Sequence, residues 1–173
     1  GISGTGTITT GFDALKNMLD DSAVVSVTLS TSLDIPAEDT LTILLNKKLT
    51  ISSDTTLTVS SGTTLTVFGT IDNDGIIDND GIIINNSGTI NNGGTIENGG
   101  TIDNSGTIDN SGTIDNSGTI DNGGLIDNFS TINSIATISG VINNYDTITT
   151  GFEALKNMLE RKDVTLSTSL DIP

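Results

Sequence analysis

The chain has 173 residues and a formal charge of −16, set by 22 Asp plus Glu against six Lys plus Arg. That balance speaks against nucleic acid, whose binding rests on cationic contacts to phosphate, and against a polybasic membrane surface. Cysteine and histidine are both missing, which excludes disulfides, thiolate or imidazole metal ligands and the usual general base.

Aromatic residues are scarce, four Phe and one Tyr with no Trp, so apolar volume must come from Ile, Leu and Val, which suit strands. No apolar run approaches the roughly 18 residues a spanning helix needs, so no membrane insertion is expected. No signal peptide is evident, so an exported form would be a mature fragment.

Residues 1–9 already look like coil, with Ile2 and Ile8 six apart; they are expected to be the tail of a preceding solenoid or a leading strand. Over residues 10–21, Phe12, Leu15, Met18 and Leu19 fall at helical spacing and make one apolar stripe. Thr10 is the expected cap, and Asp13 three places on is a weak capping box. A helix of about ten residues is marginal alone, so it must dock on something.

The solenoid itself is expected over 24–149. In its wide part, 24–68, Val27 and Leu29 and then Leu33 and Ile35 are followed by Leu41/Ile43, Leu49/Ile51, Leu57/Val59 and Leu65/Val67. From 41 onward these pairs recur every eight residues around one Thr, which is strand alternation separated by polar turns. From 69 to 140 the period drops to six, as in Gly106–Ser111 and Gly112–Ser117. Isoleucine recurs at 71 and 77, slips by one near 83/84, and returns at 90, 96, 102, 108, 114, 120, 126, 132 and 138.

A fixed short period with one large apolar side chain per copy means that no copy buries anything alone, whereas stacked copies align their isoleucines. Ile96, Ile102, Ile108, Ile114, Ile120 and Ile126 are the expected core ladder. Thr before and Asp after each Ile should face out, and Asn two places on should fall at a corner, bonding to backbone and to other Asn as in stacked amide ladders. Glycine would supply the positive φ or the tight approach that the corner needs. Three sides per turn give roughly 24 residues per coil falling to roughly 18, with a rise of ~4.8 Å. Residues 141–149 form an irregular end layer.

Residues 150–173 restart the beginning. Thr147–Leu159 copies Thr7–Leu19 with one Asp-to-Glu change, and Val164–Pro173 repeats Val27–Pro36. The expectation is therefore a second capping helix carrying Phe152, Leu155, Met158 and Leu159, and a module of about 140 residues set in a longer tandem array. Such a helix has a physical task, because an open solenoid end exposes strand edges and core to uncontrolled pairing. It is too poor in basic residues for a membrane-surface helix.

The order of an amphipathic helix, Val-Thr-Leu…Leu-Asp-Ile, Leu-Thr-Ile…Lys-Lys-Leu-Thr-Ile, Thr-Leu-Thr-Val and then Gly-Thr-Ile-Asp-Asn copies resembles secreted surface proteins and adhesins of the pectin-lyase-like type. The resemblance implies an all-β fold, a parallel β-helix with the right-handed form favoured; left-handed hexapeptide coils share the six-residue period but not the eight-residue zone. It also implies that an enzyme of this group would use acidic residues for calcium and Lys or Arg as base. The cations Lys16, Lys47, Lys48, Lys156, Arg161 and Lys162 lie in or beside caps and turns, not on the coil face, so catalysis is not expected.

Calcium is a candidate cofactor at Asp72, Asp74, Asp78 and Asp80, which set oxygen ligands beside glycine turns; the alternative is a solvated acidic face. Outward Glu97, Asp103, Asp109, Asp115, Asp121 and Asp127 would stack in columns if the coil closes every 18 residues. The outward threonines Thr95, Thr101, Thr107, Thr113 and Thr119 invite an ice-binding reading, which the accompanying Asp charges disfavour. Asn85 and Asn128 match the glycosylation acceptor pattern. Together these features point to an extracellular, cell-surface structural module in a fibre, sheath or filament, with copies of itself as partner. An adhesin stalk or carbohydrate-binding surface protein is the alternative, with surface glycans as partners.

Overall fold

A computed structural model describes residues 4–8 and 11–152. The first strand, β1 (Gly4–Ile8), leads into a helix, α1 (Phe12–Asp20). The wide coil follows as β2 (Val24–Leu29), β3 (Leu33–Ile35), β4 (Thr40–Ile43), β5 (Lys48–Ile51), β6 (Thr56–Val59) and β7 (Thr64–Val67). The narrow coil begins with β8 (Thr70–Asn73), β9 (Ile76–Asn79), β10 (Ile82–Asn85), β11 (Thr89–Asn92), β12 (Thr95–Asn98) and β13 (Thr101–Asn104). It continues through β14 (Thr107–Asn110), β15 (Thr113–Asn116), β16 (Thr119–Asn122), β17 (Leu125–Asn128) and β18 (Thr131–Ser134). A looser end layer holds β19 (Thr137–Ile138), β20 (Ile142–Asn144) and β21 (Thr147–Thr150).

β1 pairs in parallel with β2, and from β2 onward every third strand pairs in parallel, which makes the protein an all-β solenoid of three sheets. Sheet A runs β1-β2-β5-β8-β11-β14-β17-β20, sheet B runs β3-β6-β9-β12-β15-β18-β21, and sheet C runs β4-β7-β10-β13-β16-β19. Paired residues are 22 or 24 apart in the wide coil, as Val27 with Leu49 and Thr40 with Thr64. They are 18 apart in the narrow coil, as Thr89 with Thr107, and 16 apart at the end, as Thr131 with Thr147. Seven strands at the usual spacing make a stack ~29 Å tall.

The taper has a local cause. From β4 to β18 strands are four residues long in both zones, so the corners decide the perimeter. From the corner after β3, wide-zone corners take four residues, closed by bonds such as Thr55 N–H to the Ser52 carbonyl and Thr63 N–H to the Ser60 carbonyl. The third corner residue is left-handed in each: Glu38, Asn46, Asp54 and Gly62. Narrow-zone corners take two residues, and there the glycine column is required by crowding, not by positive φ. A Cβ on Gly112 would stand 2.0 Å from the Gly94 carbonyl oxygen, and one on Gly124 2.2 Å from that of Gly106. The preceding corner position has room, since a Cβ on Gly123 meets nothing closer than 3.8 Å; it accepts Ser111 and Ser117 freely. The apparent slip near Ile83 is an extra residue in the next corner, where Ser87 turns left-handed (φ 59°), and Ile83 itself stays inside.

The core is one continuous cluster. Ile96, Ile102, Ile108, Ile114, Ile120 and Ile126 are each 1% exposed, and each lies in register with its like, as Ile96 with Ile114 and Ile102 with Ile120. In the wide coil two aliphatic residues per strand face inward, so Leu49 and Ile51 are both fully buried. In the narrow coil the second is replaced by Asn: Asn73 pairs with Ile51, Asn79 with Val59 and Asn85 with Val67.

These asparagines are buried inside the coil, deeper than the corner expected for them. Each donates its amide to the next Asn oxygen along the stack, as Asn92 to Asn110 at 2.8 Å and Asn110 to Asn128 at 2.7 Å. The same amide also donates to a backbone carbonyl beyond the next tight corner, Asn92 to Thr113 and Asn110 to Thr131, both 3.0 Å. A two-residue corner does not close its own carbonyls as a four-residue turn does, so a buried donor is needed there, and Asn supplies it.

The helix covers the first coil. Phe12, Leu15 and Leu19 are buried and Met18 is half-buried against the core, with α1 lying against β2, β3 and β4. Its start differs from the expected Thr10–Asp13 box: the N-cap is Gly11 (φ 81°), with no side-chain cap bond. Docking holds it in place of capping. The Lys16 ammonium lies 5.8 Å from the Phe12 ring centroid and 3.6 Å from Asp39, and Lys47 donates to the Asp21 and Val24 carbonyls at the far end of the helix. The second helix expected over Phe152–Leu159 falls, beyond the half-buried Phe152, outside the described residues, as do Leu155, Met158 and Leu159.

Candidate functional surface

Three outward columns run up the coil, one per sheet. On sheet A the register Thr50, Asp72, Asn91, Asp109, Asp127, Asn143 is continuous. On sheet B it is Thr58, Asp78, Glu97, Asp115, Asn133, and on sheet C Thr66, Ile84, Asp103, Asp121. The acidic residues therefore do stack, distributed over three faces. Each column ends in an uncharged donor that takes the last carboxylate. Asn133 donates to Asp115 at 2.9 Å, Ser139 to Asp121 at 2.6 Å and Asn143 to Asp127 at 2.8 Å.

Sheet A carries an open groove of about 500 Å³ lined by Lys48, Asp72, Asp74, Asn91, Asp109 and Ser111 among others. The Lys48 ammonium stands 2.5 Å from Asp72 Oδ2, and the Asn91 amide donates to Asp72 Oδ1 at 2.7 Å. Burial pushes the Asp72 carboxyl up, but these two donors and the lysine charge outweigh it and hold the group below its ordinary value. Two steps along the column, Asp109 is pushed the other way, by burial and then by the Asp127 charge. One lysine thus divides the column into a neutralised head and a self-repelling tail.

The placement of Lys48 corrects the expectation that all cations sit in caps and turns: it is the first residue of β5 and stands on the coil face. Lys16 and Lys47 do hold the cap. The four candidate calcium ligands divide between two faces. Asp72 and Asp74 belong to sheet A and its following corner, whereas Asp78 and Asp80 belong to sheet B and its corner. Six residues advance the chain by one face, so the two Asp-x-Asp pairs point away from each other. Among the described residues no group of three or more Asp or Glu is placed to hold a metal ion.

Asn85 and Asn128 are not glycan acceptors in the folded coil. Both are 0% exposed, and their amides serve the ladder, Asn85 to Asn104 and Asn128 to Asn144, each at 2.7 Å. The outward threonines do form files beside the acidic columns, as Thr89 with Thr107 and Thr101 with Thr119.

Two features escaped sequence reasoning. Phe129 and Tyr145 occupy successive layers of one corner and stack with ring centroids 4.9 Å apart and planes 6° from parallel, while staying 52% and 65% exposed. Their separation of 16 residues is the paired spacing of that end layer, which is the signal that would have found them. Leu44, Leu45 and Phe68 are exposed at the corners that follow β4 and β7, the paired strands of sheet C.

Comparison with protein families, with characterised proteins and with solved structures finds no match to the chain. What stands is the solenoid itself and the tandem character of its sequence. Among the described residues no helix is long and apolar enough to cross a membrane.

Proposed function

We propose that the chain is a structural module of an extracellular fibre, sheath or surface filament, a right-handed β-helix of the pectin-lyase-like type that assembles end to end with copies of itself and carries no catalysis. The observation that carries this reading is the uninterrupted in-register stacking of like residues through the narrow coil, which spends the sequence on length. Ile ladders and Asn ladders run parallel to the axis, so bending the rod breaks both together. The acidic columns keep neighbouring rods apart through like charge. The copy of the helix and first strands at 147–173 makes the unit repeatable.

Electron microscopy of the purified chain and of native material tests it. Rods or fibres of uniform width are expected, and a chain that stays monomeric at every concentration, with no fibre in the native material, removes the reading.

The exposed Phe129–Tyr145 stack favours a second reading, an adhesin stalk, since a flat aromatic surface can receive a sugar ring. A glycan-binding screen of the chain against a Phe129→Ala/Tyr145→Ala variant separates the two, because a pure stalk binds nothing that the substitutions abolish.

A further inference from the structure

Residues 82–84 are three isoleucines in a row, and strand alternation buries only the middle one. Ile82 is 44% exposed and Ile84 half-buried, both on the outer side of sheet C. In the neighbouring layers their places are polar: Ile82 lies between Thr64 and Thr101, and Ile84 between Thr66 and Asp103. The outward positions of β4, β7 and β10 are thus Thr40, Thr42, Thr64, Thr66, Ile82 and Ile84, three layers without a charge. At the same height sheet A carries Lys48 and Asp72, and sheet B carries Asp34 and Asp78.

The apolar surface continues round one edge. The Phe68 N–H bonds the Ile43 carbonyl, which stacks the Phe68 corner on the corner of Leu44 and Leu45, and all three side chains are exposed. A chain of formal charge −16 therefore keeps one flat, uncharged window with an apolar rim.

We propose that this window is a lateral docking face for a second copy of the chain, with sheet C packed on sheet C and the two rods running in opposite directions. A second copy fits because the window complements itself. A twofold axis along β7 sets the Thr rung of β4 against the Ile rung of β10, and β7 against its own copy. Both rods share one layer spacing, so side chains of one can enter between the layers of the other at the ~10 Å separation of packed sheets. The charges decide the direction. Rods running the same way would bring their Asp103 and Asp121 columns together at equal height and set the Leu44–Phe68 rim against the edge that carries the exposed Glu38. In the reversed pair rim meets rim, and the acidic columns part in opposite directions. Asp103 then comes level with the helix of the other copy, which carries Lys16 beside Asp39, while Glu38 and Asp80 stay at the far, solvated edge. The window spans roughly 14 Å along the axis, so the contact falls short of the roughly 800 Å² per partner of a stable complex and the association is weak. It does not depend on end-to-end assembly.

Sedimentation equilibrium of the full chain across concentration and salt tests this. A dimer that strengthens with salt is expected, because screening removes the repulsion between acidic rods and leaves the apolar contact. Ile84→Asp extends the Asp103–Asp121 column by one layer and should weaken the dimer at least ~10-fold by burying an unpaired charge. Thr66→Asp is the second variant, should the first fail to fold, and Phe129→Ala/Tyr145→Ala should leave the dimer unchanged. The chain has no cysteine, so single spin labels report the direction. Labels on Ser61→Cys, in the corner that leads into β7, should lie close together. Labels on Thr119→Cys, three layers further along sheet C, should be separated by ~29 Å along the axis.

A chain that stays monomeric at every concentration overturns the proposal, as does a dimer weakened by salt, indifferent to both charge variants or lost with the aromatic pair. Thr119 labels as close as the Ser61 labels overturn the reversed direction. Contacts through the rod ends are untouched by Ile84→Asp, so failure of the lateral face is distinguishable from failure of the filament reading, which depends on fibres being found.

Discussion

An asparagine ladder can be tested by cutting it at different heights. Asn110 sits in the middle of the sheet A ladder: it accepts from Asn92 and donates to Asn128 and to the Thr131 carbonyl. Asn110→Ala removes three buried bonds at about 1 kcal/mol each, and it strands the Asn128 oxygen at about 1–3 kcal/mol more. The expected loss is about 4–6 kcal/mol. Asn73 heads the same ladder, beneath Ile51, and its oxygen has no donor. Asn73→Val removes the donations to Asn92 and Thr95, but it also removes that orphaned oxygen and extends the aliphatic stack downward by one layer. Asn92 then becomes the new head with the same orphan. The lost bonds and the gained apolar contact nearly cancel, leaving a change of about 1 kcal/mol or less. Urea unfolding at constant slope reads the difference as a shift in midpoint. Equal losses for the two variants would refute the reasoning, because they would mean that position in the ladder carries no energy.

Three further outcomes follow from the same geometry. Gly124→Ala should cost several kcal/mol, on the order of a severe core clash, while Gly123→Ala stays within about 1 kcal/mol, as read by thermal melting; similar losses would mean that the corner backbone yields. Asp109→Asn should raise the urea midpoint at pH 7 by a few tenths of a kcal/mol. The Asp109 pKa is raised in the fold, so its cost is present above that raised value and vanishes as pH falls toward the ordinary 3.8; a gain that persists at lower pH would contradict the repulsion. Addition of millimolar calcium or of chelator should leave the melting midpoint unmoved, since Asp72 with Asp74 and Asp78 with Asp80 lie on different faces; a rise with calcium that chelator reverses would restore the site.

Much of the fold was legible because a coil translates period into position. The eight- and six-residue spacings specify which residues stack, and the wide and narrow zones appear where those spacings place them. The same arithmetic, carried further, would have corrected the sites. Strand alternation puts Asn85 on the side of Ile83 and Asn128 on the side of Ile126, which hides both from glycan attachment. Residues six apart lie on adjacent faces and residues eighteen apart on the same face, so Asp72 and Asp78 could never meet while Asp109 and Asp127 must. What periodicity does not carry is crowding at a corner. That the second corner residue is Gly from Gly94 through Gly124 follows from a carbonyl 2.0–2.2 Å from where its Cβ would stand, a distance that exists only once the coils are stacked, whereas Ser130 and Ala136 hold the same place toward the looser end layer.

The ladders also give the rod a direction. Every amide in them donates toward the C-terminal end, and backbone carbonyls as second acceptors fix which end of each amide is nitrogen. At the head of the three ladders the oxygens of Asn73, Asn79 and Asn85 lack donors, and above them lie Ile51, Val59 and Val67. At the tail the last groups turn to backbone carbonyls, Asn122 to Val141, Ser134 to Ala136 and Asn144 to Asp146. One end of the narrow coil is therefore closed by hydrocarbon and helix, and at the other the half-buried Ile138, Ile142 and Ile148 form the last apolar layer among the described residues. Among the described residues the two ends of the narrow coil are therefore chemically unlike, and the buried amides between them all point one way.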